Sequence, residues 1–148
     1  MTQYGPIRMR PKRSPQAERE VRRDSRLRQA RTCYGHLAGV AGVALMDEML
    51  GLEWLEEDPE PVSGNRVRYA LTPKGSQAMD ELGVDLSTAA KSSGIFAFGC
   101  LDWTERGHHL GGALGRAVTV CLSEQGLVGR APGTREVVLQ GGPRAWLR

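Results

Sequence analysis

The sequence predicts an α+β fold made of two tandem winged-helix-like units, each a long helix, a two-stranded wing hairpin and a further helix. Three observations lead there. First, residues 33–45 (CYGHLAGVAGVAL) and residues 100–118 (CLDWTERGHHLGGALGRAV) say nearly the same thing, with His36, Leu37, Gly39, Gly42 and Ala44 falling on His109, Leu110, Gly112, Gly115 and Ala117 at a constant offset of 73. Second, each block leads into two short strand-like pieces and another helix start. Third, two copies are too few for a solenoid, so an internal duplication implies a pseudo-symmetric body with the paired blocks near the local axis. At 148 residues and 40% apolar, the chain has enough material for a core.

In chain order, residues 1–31 form a basic arm, disordered over residues 1–13, where Pro6, Pro11 and scattered arginines leave little to bury. Ser14-Pro15 is a helix start, since a hydroxyl caps and proline is tolerated in the first turn. Residues 16–32 read as a helix charged all round, which needs a partner surface. The first unit, residues 32–83, has a long helix over residues 36–50 that Gly51 ends in a left-handed turn. Its wing strands are residues 54–57 and 66–71, and Thr72-Pro73 caps a helix running to Leu82. A small-residue connector, residues 84–99, holds a short helix near residues 87–91. The second unit, residues 100–148, opens at Asp102, where Asp102 and Glu105 have capping-box spacing. Its long helix covers residues 109–125 and ends at Gly126, its wing strands are residues 127–130 and 135–139, and a last helix begins at Pro143.

Charge and cysteine usage bound the function classes. Residues 1–31 carry ten of the twenty basic side chains and three acids, so the arm is +7 and the remainder −4. A basic arm on a mildly acidic body suits nucleic acid, with Arg8, Arg10, Lys12 and Arg13 as phosphate contacts, or it packs on its own body's acidic surface. Arg66 and Arg68 on the first wing and Arg130 and Arg135 on the second are the further DNA candidates. Three cysteines cannot all pair, which points to a reducing, cytoplasmic setting. Met1 is followed by no apolar signal region, and the longest apolar stretch, residues 37–46, is about half of a membrane span. No nucleophile motif or phosphate loop accompanies His108 and His109, so no enzyme is expected.

The paired blocks hold the candidate site. Cys33-x-x-His36 has metal-ligand spacing, and with Cys100 and His109 it makes a Cys2His2 set suited to zinc or another thiophilic metal, with Trp103 shielding it. The same residues also suit a plain core, with cysteine as a small hydrophobe and histidine as a capping group. Gly39, Gly42, Gly112 and Gly115 each cost about 1 kcal/mol against alanine in a helix. Their return is a close backbone approach, by another helix crossing near the pseudo-twofold axis or by a bound group. Cys121, among Val118, Val120 and Leu122, reads as core.

These residues also carry a family resemblance. RQARTCYGHLAG and CLDWTERGHHLGGALG resemble the C-terminal half of ArsR-type winged helix-turn-helix transcriptional regulators, over roughly residues 27–148. In the longer members, similar blocks follow an N-terminal DNA-reading domain, for which this chain shows no counterpart. Gly35 stands where the family pattern has Asp, and residues 139–143 replace a Leu-Thr-Pro-x-Gly turn that the first copy keeps as residues 71–75. The resemblance implies a homodimerising or effector-sensing region of a DNA-associated regulator. The alternative it leaves is a metal- or thiol-effector module with no DNA binding of its own.

Overall fold

The computed structural model describes residues 13–23, 25–33, 35–60, 66–102, 104–105, 107–130 and 133–147. Two short helices open it. Ser14 accepts the Ala17 amide at 3.1 Å and starts α1 (Pro15–Arg23), and Ser25 accepts the Arg28 amide at 3.2 Å and starts α2 (Arg26–Gln29). The single helix expected over residues 16–32 is thus corrected: Ser25 starts a second helix, and the chain leaves it extended at Ala30.

The first residues of the expected long helix are strand instead. β1 (Arg31–Cys33) turns through Gly35, whose φ is +89°, into β2 (His36–Ala38), with Cys33 opposite His36 in the register. The first long helix, α3 (Gly39–Gly51), begins only at Gly39, which takes a left-handed φ of +79°. An L side chain is disfavoured there, so Gly39 marks the strand-to-helix junction and not a helical interior. Gly51 does not supply the left-handed turn at the far end; Leu52 caps the helix and Glu53 takes the positive φ, 63°.

The first wing is β3 (Leu55–Glu57) and β4 (Val67–Leu71), paired antiparallel with Leu55 opposite Leu71. Thr72 then caps α4 (Pro73–Leu82) by accepting the Gly75 amide at 2.9 Å, and Gly83 closes it at φ 97°. α5 (Leu86–Lys91) fills the connector, capped by Asp85.

The second half repeats the order of the first. β5 (Phe98–Leu101) and β6 (His108–Gly111) form a hairpin with Cys100 opposite His109. No helix starts at Asp102, which sits in the hairpin loop. The second long helix, α6 (Gly112–Glu124), begins at another left-handed glycine, Gly112 at φ +80°, and Gly126 at φ +75° lies just past its end. The second wing is β7 (Val128–Arg130) with β8 (Val137–Leu139), and α7 (Pro143–Trp146) comes last.

The halves exchange contacts. β4 of the first wing pairs with β5, giving the sheet order β3-β4-β5-β6, while β1 is bridged to the second wing through Arg31 and Glu136. Reciprocally, α3 packs on β6 and α6 packs on β2. One apolar cluster therefore runs through both halves, with Met46, Met49, Met79 and Leu114 fully buried. Burying each such side chain contributes about 1.5–3 kcal/mol, which neither half obtains alone.

Candidate functional site

The two opening hairpins lie against each other, β2 beside β6, and bring their histidines together. The His36 and His109 rings are 5.2 Å apart between centroids at an interplanar angle of 41°, and Phe98 meets His36 edge-on at 6.4 Å. The in-helix glycines make this approach feasible. A Cβ on Gly42 would sit 2.4 Å from the Leu37 carbonyl oxygen and 3.3 Å from the His109 Cβ; one on Gly115 would sit 2.4 Å from the Leu110 carbonyl oxygen and 3.2 Å from the His36 Cβ. The close neighbours are thus strand backbone and the opposite half's histidine, where the sequence suggested a helix crossing or a ligand. Gly39 and Gly112 are likewise crowded by backbone, by Arg28 and by Ile95 and Phe96 respectively.

Of the four candidate ligands, three converge. A ligand atom from each of Cys33, His36 and His109 lies within 4.8 Å of the other two. Cys100, at the equivalent register position to Cys33, rests against the Cys33 thiol but outside that convergent set. Trp103 lies outside the described residues, as do Arg8, Arg10 and Lys12.

The electrostatics of the group are uneven. The neighbouring Cys100 and then His109 hold the Cys33 thiol down to about 4, against the opposing effect of burial. The Cys100 thiol is pushed up, by Cys33 first and by burial second. Burial, then the proximity of His109, lowers His36 to about 4, so its imidazole is neutral near pH 7. Burial also opposes protonation of His109, but Asp102 and Cys33 more than offset it and raise its pKa. His36 is 2% exposed and His109 1%, and neither Nδ1 of His36 nor Nε2 of His109 has a well-formed hydrogen bond among the described residues.

Behind the histidines stands a buried polar network that the sequence does not announce. Asp102 accepts from His109 Nδ1 at 3.0 Å and from the Gly39 amide at 2.7 Å through one oxygen. Its other oxygen accepts from Arg31 Nη2 at 2.5 Å, from the Thr104 hydroxyl at 2.9 Å and from the Glu105 amide at 3.2 Å. Arg31 is 0% exposed and donates also to the Leu27 carbonyl and the Thr104 hydroxyl. Burial resists ionisation of Asp102, yet His109 and Arg31 hold its carboxyl well below the usual range. Around it, Arg28 forks onto Glu105 at 2.9 and 3.3 Å, and Arg13 donates to the Thr104 carbonyl. Arg31 therefore belongs to the core and not to a solvated basic arm. The spacing at Asp102 is half a signal: Asp102 does cap a helix, but it is α3.

The surface arginines divide. Arg66, Arg130 and Arg135 are exposed and Arg68 is half-buried. The Arg66 guanidinium lies 4.7 Å from the Phe98 ring centroid, and both Arg66 and Arg116 are close enough to His36 to disfavour its protonation. No helix among the described residues is long and apolar enough to cross a membrane.

Compared with known proteins, the chain is similar to YdfF of Bacillus subtilis (strain 168), an uncharacterized HTH-type transcriptional regulator, at 32% identity over 137 residues. The match covers 92% of this chain and 58% of that relative's length. No family model matches the chain, and no solved structure matches it.

Proposed function

We propose that this chain supplies the dimerisation or effector-sensing region of an ArsR-type, DNA-associated transcriptional regulator, working in the cytoplasm and not as an enzyme. The observation that carries the proposal is the similarity to a protein named as an HTH-type transcriptional regulator, sustained over 92% of the chain. The repeated order of hairpin, thirteen-residue helix, wing hairpin and short helix supports a winged-helix-like reading of each half. DNA contact falls to Arg8, Arg10, Lys12 and Arg13 in the arm, with Arg66, Arg68, Arg130 and Arg135 on the wings. Phosphate contacts of this kind make affinity fall steeply with salt and depend little on sequence.

A gel shift across a salt series tests it. Binding whose log affinity falls linearly with log salt supports direct DNA contact by this chain. Deleting residues 1–13 then weakens binding on every sequence and flattens the slope. Sedimentation of the purified chain tests the homodimer. The convergent Cys33–His36–His109 group favours a second reading, a metal- or thiol-effector-binding or dimerisation module with no DNA binding of its own, and absence of a shift at every salt concentration selects it.

A further inference from the structure

We infer that Cys33, His36 and His109 bind a Zn(II) ion between the two hairpins, with Cys100 placed to complete a tetrahedral Cys2His2 set. This names the ligand of the effector site proposed above and rests on that reading only for its regulatory consequence.

Geometry carries the inference. Zinc bonds of about 2.3 Å to sulfur and 2.0–2.1 Å to nitrogen place tetrahedral ligand atoms about 3.3–3.6 Å apart. The three side chains already hold their ligand atoms within 4.8 Å, so they close by little more than an ångström. The imidazoles are prepared for it. Asp102 takes Nδ1 of His109, which fixes the ring and leaves Nε2 toward Cys33, the carboxylate–histidine arrangement that orients a metal ligand. Nδ1 of His36 is buried without a well-formed hydrogen bond among the described residues, and Nε2 of His109 has the Cys33 sulfur beside it. A purely structural His36 would spend its Nδ1 on a hydrogen bond, because a buried unsatisfied polar atom costs about 1–3 kcal/mol.

The donor set selects the ion. No carboxylate of the described residues joins the convergent group, since both oxygens of Asp102 are taken by Arg31, Gly39 and His109. Oxygen-seeking calcium and magnesium are thereby disfavoured. One sulfur and two imidazole nitrogens suit a borderline or soft ion. The guanidiniums of Arg66 and Arg116 near His36 disfavour surplus positive charge. A divalent ion is neutralised only by two thiolates, which is the role assigned to Cys100, already in contact with Cys33.

The test uses the full chain, purified without a histidine tag and stripped of metal. Co(II), a spectroscopic stand-in for zinc, is expected to bind one ion per chain with thiolate charge-transfer and tetrahedral ligand-field bands, both displaced by Zn(II). Cys33→Ser and His36→Gln abolish the bands. Asp102→Asn weakens Zn(II) binding about 10–100-fold against a chromophoric chelator. Cys100→Ser lowers the charge-transfer intensity; full intensity in that variant would overturn the four-ligand form. In case a variant fails to fold, Zn(II) must also protect Cys33 of the unaltered chain from iodoacetamide while leaving Cys121 unaffected. Absence of a thiolate band, or no protection of Cys33, overturns the site. Metal binding without a gel shift removes DNA binding by this chain and keeps the site; a gel shift without metal binding does the reverse.

Discussion

In the hairpin β1–β2, residues 34–35 separate Cys33 from His36; in β5–β6, residues 101–108 separate Cys100 from His109. Both hairpins nonetheless set cysteine opposite histidine across the same kind of antiparallel pair. The longer second loop is where the halves part company. It carries Asp102 and Thr104, while the strand position equivalent in register to Phe98 is Arg31, because Arg31 faces Ala38 as Phe98 faces Gly111. One half thus supplies the buried cation and the other the buried carboxylate. That carboxylate serves both halves, receiving the first-turn amide of α3 and the ring of His109. In α6 the first-turn amides, from Ala113 and Leu114, go to the Ile95 and Phe96 carbonyls instead. The two hairpins place like residues at equivalent register positions, and the unequal loop departs from that likeness in one place, making the two hairpins a fixed pair.

The largest expected effect is at that break. Asp102→Ala leaves Arg31 buried without its carboxylate and is expected to destabilise the chain by about 3–5 kcal/mol, measured by urea unfolding. A loss under about 1 kcal/mol would mean that Arg31 finds water and that the latch does not join the halves. The same carboxylate gives a pH signature. Its folded pKa is depressed, so its contribution is complete above the unfolded value of about 3.9 and is lost as pH falls from there through the folded value. Unfolding midpoints of the wild-type chain should therefore drop below about pH 4, and the Asp102→Asn chain should lack that component.

The glycines test the symmetry itself. Gly42→Ala and Gly115→Ala each drive a Cβ to 2.4 Å from a strand carbonyl, and each is expected to cost about 1–3 kcal/mol, by similar amounts. Unequal costs in urea unfolding would show that one hairpin yields and the other does not. Gly51→Ala meets nothing within 4 Å and should stabilise by up to about 1 kcal/mol, the helical preference for alanine.

A third test lies at Thr119. Its hydroxyl receives the Leu37 amide at 2.9 Å, while the position 73 residues earlier is Met46, which has no hydroxyl to offer Leu110. Thr119→Val is expected to cost about 1–2 kcal/mol by leaving that amide unpaired. No change would imply that β2 needs no tie to α6.

The smallest effect on stability, and the sharpest on chemistry, concerns the cysteines. Cys33 is held as thiolate down to about pH 4 and Cys100 as thiol, so iodoacetamide at about pH 6 should label Cys33 well before Cys100 in the metal-free chain, read by mass spectrometry. Equal labelling would erase the distinction between the hairpins.

Range decides how much of this is legible in the sequence. The caps at Ser14 and Thr72, the wing strands and the helix end at Gly126 are readable because each is decided by residues within a few positions of itself. The pairing of cysteine with histidine in each block is readable as a repeat. The strands His36–Ala38 and His108–Gly111 are not, since a short apolar run is compatible with helix or strand until its partner is known. Nor is the role of Asp102, whose capping chemistry is recognisable but whose helix begins 63 residues earlier in the chain. The sequence by itself determined the locally capped ends at Ser14 and Thr72, the repeated cysteine–histidine pairs and the charge of the arm. Only the tertiary structure decided that the long helices start at left-handed Gly39 and Gly112 and that Cys33, His36 and His109 meet. It alone decided, too, that Arg31 is buried, because burial on both faces of a strand depends on segments some seventy residues away.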